Sequence, residues 1–193
     1  MATQPLPFVS VEEYLRQERL TGGRNDYRDG EVIEFRAATP AHSRICTNVL
    51  LSLGRRVAAG PCSVWESSLA VCVQWGRFIT HPDITVVCGQ LELLDSRRDV
   101  VKNPRVLIEV LSPSTRDYDV GTKATRYRNI PTLAEYLIIE QEPAAIDHYR
   151  RIPEGSWRID PITDPNATIR LESINVDLPV SEIYAGVAEL PAE

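Results

Sequence analysis

Val106-Leu-Ile-Glu-Val-Leu111 decides how this chain is read. It is almost continuously apolar, as a strand buried on both faces must be, and one carboxylate, Glu109, interrupts it. Upstream, Ile79-Thr-His-Pro-Asp-Ile-Thr-Val-Val87 repeats the arrangement, with Asp83 as its acid. A carboxylate inside an apolar strand costs several kcal/mol unless something neutralises it. Two neighbouring strands each offering one acid would do so with a shared cation. Mg²⁺ or Mn²⁺ suits such a pair, because hard divalent ions take one or two carboxylates plus water and phosphate oxygens. Read singly, each acid also fits a structural role, Asp83 capping a turn after Pro82 and Glu109 pairing with Arg105 or Arg126.

Working outward, Ser10-Val-Glu-Glu13 has capping-box spacing and opens a short helix to about Leu20, ended by Gly22-Gly23. Asp29-Gly30, inside Tyr27 to Phe35, is a strong hairpin signal. Thr39 and Pro40 start the longest helix, whose apolar positions Ile45, Val49, Leu50, Leu53 and Val57 recur at helical spacing to about Ala58. Strands are expected from Ser63 to Gln74, Ile79 to Cys88 and Arg105 to Leu111. Asp117 or Asp119 caps a helix carrying Lys123, Tyr127 and Arg128, which stops before Ile130-Pro131. Tyr136 to Glu140 is a strand, Ala145 to Arg151 and Trp157 to Pro161 form a hairpin, Ile169 to Leu171 is an edge strand, and Val180 to Tyr184 a short closing helix.

At 193 residues the chain is long enough for one core and short for two, so one domain over 1–193 is expected, with its core at about 10–150 and strands and a short helix over 151–187. No run of apolar residues is long enough to span a membrane, and the N-terminus lacks the pattern of a signal peptide, so a cytoplasmic protein is expected. Cys46, Cys62, Cys72 and Cys88 form no CxxC pair, sit in apolar stretches and read as reduced, buried and inert. The formal net charge of −6 argues against a general basic face, so any nucleic-acid contact must use local patches. No Gly-rich phosphate loop is present, which removes support for an NTP-processing enzyme.

The order Pro82-Asp83, then Glu109 amid hydrophobics, then a helix bearing Lys123, resembles the PD-(D/E)xK nuclease superfamily. Asp29-Gly30-Glu31, Pro40-Ala-His42, Pro82-Asp83 and Ile108-Glu-Val-Leu-Ser-Pro-Ser-Thr115 with Asp119, Lys123 and Tyr127 resemble more closely a large cyanobacteria-rich family of restriction-endonuclease-like proteins, formerly classed as a domain of unknown function. The resemblance covers roughly residues 10 to 150, and the Glu-Val-Leu-Ser-Pro-Ser-Thr block is its most specific element. It implies an α/β (α+β) restriction-endonuclease-like fold, a central mixed β-sheet flanked by helices with an additional hairpin region. It also implies a nucleic-acid substrate, DNA being the expected one, and metal-dependent hydrolysis of phosphodiester bonds. Asp83, Glu109 and the Val110 carbonyl would hold Mg²⁺ or Mn²⁺. The superfamily's lysine stands two residues after the acid, on the same strand face, where this chain has Leu111. The resemblance suggests that Lys123 reaches back from the following helix in its place; otherwise Lys123 is a helix-face lysine pairing with Asp119.

Glu31 aligns with a family acid that could bind a second metal or orient water, or it is simply exposed. His42, at a helix start, can reach a phosphate or a water, or cap the helix. Ser112, Ser114 and Thr115 read as turn and cap residues. Arg116 and Arg126, with Arg128, Arg97-Arg98 and Lys102, are the basic clusters able to meet phosphates, or else solvated surface. The competing reading is a nuclease fold that no longer cuts and serves as a binding or regulatory module; Leu111 and the acidic net charge favour it. A homodimer is a further expectation, with the strands after Tyr136 and with Trp157 available either as an interface or as cover for the sheet.

Overall fold

The computed structural model of the chain describes residues 8–34, 38–96, 99–113 and 115–190; Phe35, Arg97, Arg98 and Ser114 lie outside the described residues. Helix α1, Val11–Thr21, is capped by Ser10, whose side chain accepts from the Glu13 amide, and ends at Gly22 in the left-handed region. Only half of the capping box forms, because the Glu13 carboxylate turns to Arg16 and Gln17 instead. Strands β1 (Asp26–Arg28) and β2 (Glu31–Ile33) form the hairpin signalled by Asp29-Gly30, and both turn residues have positive φ, at 47° and 96°. Helix α2, Pro40–Val57, has Pro40 in its first turn and Thr39 as cap, accepting from the His42 amide at 3.0 Å.

Two expected strands are each broken in two. The run from Ser63 becomes β3 (Cys62–Glu66) and β4 (Ala70–Gln74), separated by a turn. The run from Ile79 becomes β5 (Phe78–Thr80) and β6 (Ile84–Cys88), with His81-Pro82-Asp83 between them. In both cases the chain passes from one sheet to another, a change that the hydrophobicity of a continuous run does not reveal. A short β7, Val100–Val101, precedes β8, Val106–Val110, which is buried along its whole length. The helix carrying Lys123 is a π-helical segment, Tyr118–Lys123, running into α3, Ala124–Tyr127. Strands β9 (Glu135–Ile139), β10 (Ile146–Arg151), β11 (Trp157–Ile162) and β12 (Thr168–Leu171) fall close to their expected places. Strand β13, Val176–Pro179, was not anticipated; it pairs with β12 in a two-stranded sheet and leads into α4, Val180–Ile183.

The central sheet has the order β11-β10-β9-β8-β6-β3. It is mixed: β8 and β9 run parallel, and the other neighbours antiparallel. A second sheet, β2-β1-β5-β4-β7, lies over one of its faces. Alternation along β8 assigns the faces. Val106, Ile108 and Val110 join Ile45, Val49 and Leu53 of α2 and Ile183 of α4 in one core cluster. Leu107 and Leu111 join Phe78, Tyr127 and Tyr136 in a second cluster between the sheets. Helix α1 packs on the outer side of the smaller sheet through Tyr14 and Tyr27. Trp157 packs partly buried against the second cluster and beneath the Arg151 guanidinium, so it covers the sheet of its own chain.

The cysteines correct one expectation. Cys62 and Cys88 stand opposite each other across β3 and β6 and are joined as a disulfide, while Cys46 and Cys72 are free. Strand register brought the first two together, and spacing along the chain carries no trace of it.

Candidate active site

Glu109 follows from the β8 alternation: it points to the same side as Leu107 and Leu111, between the sheets, and is only 3% exposed. Its Oε1 accepts from Lys123 Nζ at 3.1 Å and from the Tyr127 hydroxyl at 2.7 Å. Neither Arg105 nor Arg126 is its partner. Leu111, on the same strand face, is packed in the apolar cluster and leaves the polar part of this face to the helix. The π-helical segment bears Asp119 and Lys123 inward; π turns recur at functional sites because the extra residue per turn re-aims side chains.

Lys123 Nζ also lies 3.2 Å from Asp119 Oδ1 and 3.5 Å from Asp26 Oδ2. Asp119 stands one turn before Lys123 and pairs with its ammonium. Asp26, on β1, is fully buried and was not singled out in the sequence, where it reads as an ordinary strand-start acid. It accepts from Thr80 Oγ1 (2.9 Å), the Tyr118 hydroxyl (3.1 Å) and the His81 amide (2.9 Å). Tyr127, Tyr118 and Thr80 were likewise missed as site residues; Tyr127 was noted only as part of a motif.

Asp83 occupies the break between β5 and β6. Pro82 has no amide to donate to a ladder, and the carboxylate that follows is half released from the sheet. Its Oδ2 accepts from the Val110 amide at 2.8 Å and contacts His42 Nε2 at 3.2 Å. His42 lies in the first turn of α2, beside Asp83 and Cys46. These groups open into a cleft of about 500 Å³ lined by His42, His81, Asp83, Glu109, Val110 and Lys123, among others. Arg24 lines it too and bonds to Ser67.

The electrostatics follow from burial and from the imbalance of charge. Burial pushes the Glu109 carboxyl well above its ordinary range, and Asp119 and Asp83 add to the rise against the opposing pull of Lys123. Asp119 is raised for the same first reason, burial. Burial alone would lower the Lys123 ammonium, but Asp26, Glu109 and Asp119 outweigh it, so the lysine is held charged well above the usual range. His42 behaves alike: desolvation pulls it down, and Asp83 more than compensates, giving a raised value. His81 is lowered, chiefly by burial. Three carboxylates therefore face one lysine, and a fourth, Asp83, shares the cleft against His42.

The remaining expected site residues lie apart from this cluster. Glu31 pairs with Arg28 at 2.7 Å on the hairpin, half exposed, and does not line the cleft. Arg126 pairs with Asp29 and lies 5.1 Å over the Phe78 ring. Arg116 pairs with Glu140 on the surface, beside a neighbouring cavity rather than in the cleft. Ser112 and Thr115, by contrast, bond to one another at 2.9 Å in the turn after β8 and line the cleft.

A mixed central sheet with an acid at a broken strand, a second acid on the adjacent strand and a lysine returning from the next helix defines a restriction-endonuclease-like α/β protein. Comparison with known proteins agrees. Residues 11–181 match the Uma2 family model, described as "Putative restriction endonuclease", and the chain belongs to that family. Two proteins of Synechocystis sp. (strain ATCC 27184 / PCC 6803 / Kazusa) are similar over nearly their whole length. "Uncharacterized protein slr1290" is 31% identical, with 95% of each chain covered. "Uncharacterized protein sll1609" is 25% identical, over 91% of this chain and 99% of its own. A crystal structure described as a putative nuclease belonging to DUF820 from Anabaena variabilis ATCC 29413 superposes with a TM-score of 0.75 at 17% identity, covering 93% of this chain and 99% of that one. At that identity it speaks for the fold. Among the described residues, no helix is long and apolar enough to cross a membrane.

Proposed function

We propose that the chain is a divalent-metal-dependent nuclease that hydrolyses phosphodiester bonds, with DNA as its substrate. The observation that carries this reading is an open cleft lined by Asp83, Glu109, Val110, Asp119 and Lys123, in which Glu109 and Asp119, with the buried Asp26 behind them, surround the Lys123 ammonium. The donor set fits a hard ion: the Asp83 and Glu109 carboxylates and the Val110 carbonyl are all oxygens, and the carboxylates outnumber the cation beside them. Asp83, Glu109 and Val110 would hold Mg²⁺ or Mn²⁺, which would supply charge neutralisation at the scissile phosphate and a more acidic water.

The chain's own groups do the rest. Lys123 stays protonated, so it acts as a donor that orients water or a phosphate oxygen and not as a base. Tyr127 and Lys123 together fix the Glu109 carboxylate, leaving the cleft side of that group to a ligand. Asp26 and Asp119 hold the ammonium in place from two other elements. His42 orients Asp83. Arg24, at the rim, is better placed than Arg116 or Arg126 to meet a phosphate.

The competing reading, a fold that binds but does not cut, is favoured by Leu111 and by the net charge of −6. Incubation of supercoiled plasmid, single-stranded DNA and RNA with Mg²⁺ or Mn²⁺ separates the two. The expected result is metal-dependent cutting, reduced at least about 100-fold by Asp83→Ala, Glu109→Ala and Lys123→Ala. Wild-type protein that binds neither metal nor cuts any of the three substrates would establish the binding module; an Asp83→Ala variant cutting at the wild-type rate would remove the assigned site.

A further inference from the structure

His42 and Cys46 stand one helical turn apart on the same face of α2, and Asp83 faces them from the break between β5 and β6. The three offer one ligand atom each, all within 4.8 Å of one another. His42 Nε2 lies 3.2 Å from Asp83 Oδ2, and His42 Nδ1 lies 3.5 Å from Cys46 Sγ. Around a tetrahedral zinc, with bonds of about 2.0–2.1 Å to nitrogen or oxygen and about 2.3 Å to sulfur, ligand pairs are separated by roughly 3.3–3.6 Å. Each contact taken singly is near that spacing, but they use different ring nitrogens, so one of them belongs to a single coordination shell and the remaining donor lies within 4.8 Å of the other two. One imidazole nitrogen binds an ion, so the third ligand must rotate toward that nitrogen to complete the set.

We propose that His42, Cys46 and Asp83 form a binding site for Zn²⁺, with the fourth position open to the cleft, and that occupancy of this site inhibits the nuclease. The donor chemistry distinguishes it from the hard-ion site: a thiolate and an imidazole select a borderline ion such as Zn²⁺ and hold Mg²⁺ poorly. Three protein ligands and an open coordination position are the arrangement of an exchangeable zinc site, whereas closed structural sites use four. Cys46 gives its proton to solvent on binding. Asp83 is common to both sites, so zinc withdraws it from the Mg²⁺ set. The inhibitory consequence rests on the proposed role of Asp83 in cleavage; the zinc site itself does not.

Cobalt substitution tests the site without reference to activity. Co²⁺ titrated into the full-length protein, with the Cys62–Cys88 bond intact, is expected to give one equivalent of a tetrahedral spectrum with a thiolate charge-transfer band, displaced by Zn²⁺. Cys46→Ser should abolish that band, and His42→Ala and Cys46→Ser should each weaken Zn²⁺ binding at least tenfold by calorimetry. Zn²⁺ should also protect Cys46 from alkylation in the wild-type protein, a readout that needs no variant to fold. In cleavage assays Cys46→Ser should retain Mg²⁺-dependent activity and lose at least tenfold of its sensitivity to Zn²⁺. A thiolate band that survives in Cys46→Ser, or alkylation of Cys46 unaffected by stoichiometric Zn²⁺, would overturn the zinc site even if the protein cuts DNA. Zinc binding as described by a protein that cuts nothing would instead overturn the nuclease and the inhibition together.

Discussion

The ammonium of Lys123 lies within 3.5 Å of three carboxylates from three elements, and its side chain is almost fully enclosed. Removing the cation leaves Asp26, Glu109 and Asp119 facing one another, each nearly enclosed and without its counter-charge. Lys123→Met is therefore expected to destabilise the metal-free protein by about 3–5 kcal/mol, read from chemical denaturation. Saturating Mg²⁺ should restore part of that loss, because a bound ion takes over the compensation; at 100 times its dissociation constant a ligand adds about 2.7 kcal/mol. No rise in the denaturation midpoint with Mg²⁺, in wild type or variant, would argue that these acids hold no cation. The residues that carry the site differ in how visible they were. Asp83 and Glu109 stand out because an acid in an apolar run contradicts its surroundings. Asp26 does not, since it opens a three-residue strand among other charged residues, and only its burial against Thr80, Tyr118 and Lys123 distinguishes it.

Elements place these side chains, and α2 contributes most. Thr39 holds its first turn through the His42 amide and is tied by its hydroxyl to Gln141 at 2.7 Å. Thr39→Ala should cost about 1 kcal/mol of stability as a lost cap. It should also loosen His42 against Asp83, so its effect on metal affinity should exceed that of a surface cap such as Ser10→Ala at equal thermal stability. The hairpin that carries Asp26 depends on Gly30 at φ 96°, where an added Cβ would come within 2.2 Å of the Phe8 ring. Gly30→Ala is expected to destabilise by more than about 1 kcal/mol, measurable as a lower unfolding midpoint. Helices and the hairpin were legible in the sequence because caps, prolines and Asp-Gly turns act over a few residues. The breaks at 67–69 and 81–83 were not, since apolar runs do not say when the partner sheet changes.

For the whole molecule, two features tie distant parts together. The Cys62–Cys88 bond closes a loop spanning 26 residues between the edge strand β3 and its neighbour. By loop-closure entropy, the Cys62→Ser, Cys88→Ser double variant should lose about 3–4 kcal/mol. Reduction of the wild type should match it, and equal stability of oxidised and reduced protein would show the bond to be dispensable. Glu135 of β9 accepts from His148 at 2.6 Å and from the Ser173 amide at 2.7 Å, binding the central sheet to the segment before β13. Burial would raise this carboxyl, but the hydrogen bonds from His148 and Ser173 outweigh it and hold it below 4.5. A lowered folded pKa contributes stability that is present above the unfolded value and lost as pH falls through the folded one. Stability should thus decline below about pH 4.5 in the wild type, and Glu135→Gln should flatten that decline while being less stable at pH 7. Parallel acid limbs for the two proteins would remove Glu135 from the account.

By itself the sequence determined the α/β class, the long capped helix, the buried strand β8 and the two acids that do not belong in apolar strands, because each of these is written in local periodicity or in local contradiction. Tertiary structure alone decided that Asp26 joins Glu109 and Asp119 at Lys123, that Cys62 meets Cys88, and that Glu31, Arg116 and Arg126 are spent on surface pairs. These depend on strand order, register and the turn of a π helix, which bring together residues up to 97 positions apart whose separation along the chain carries no information about their distance in space.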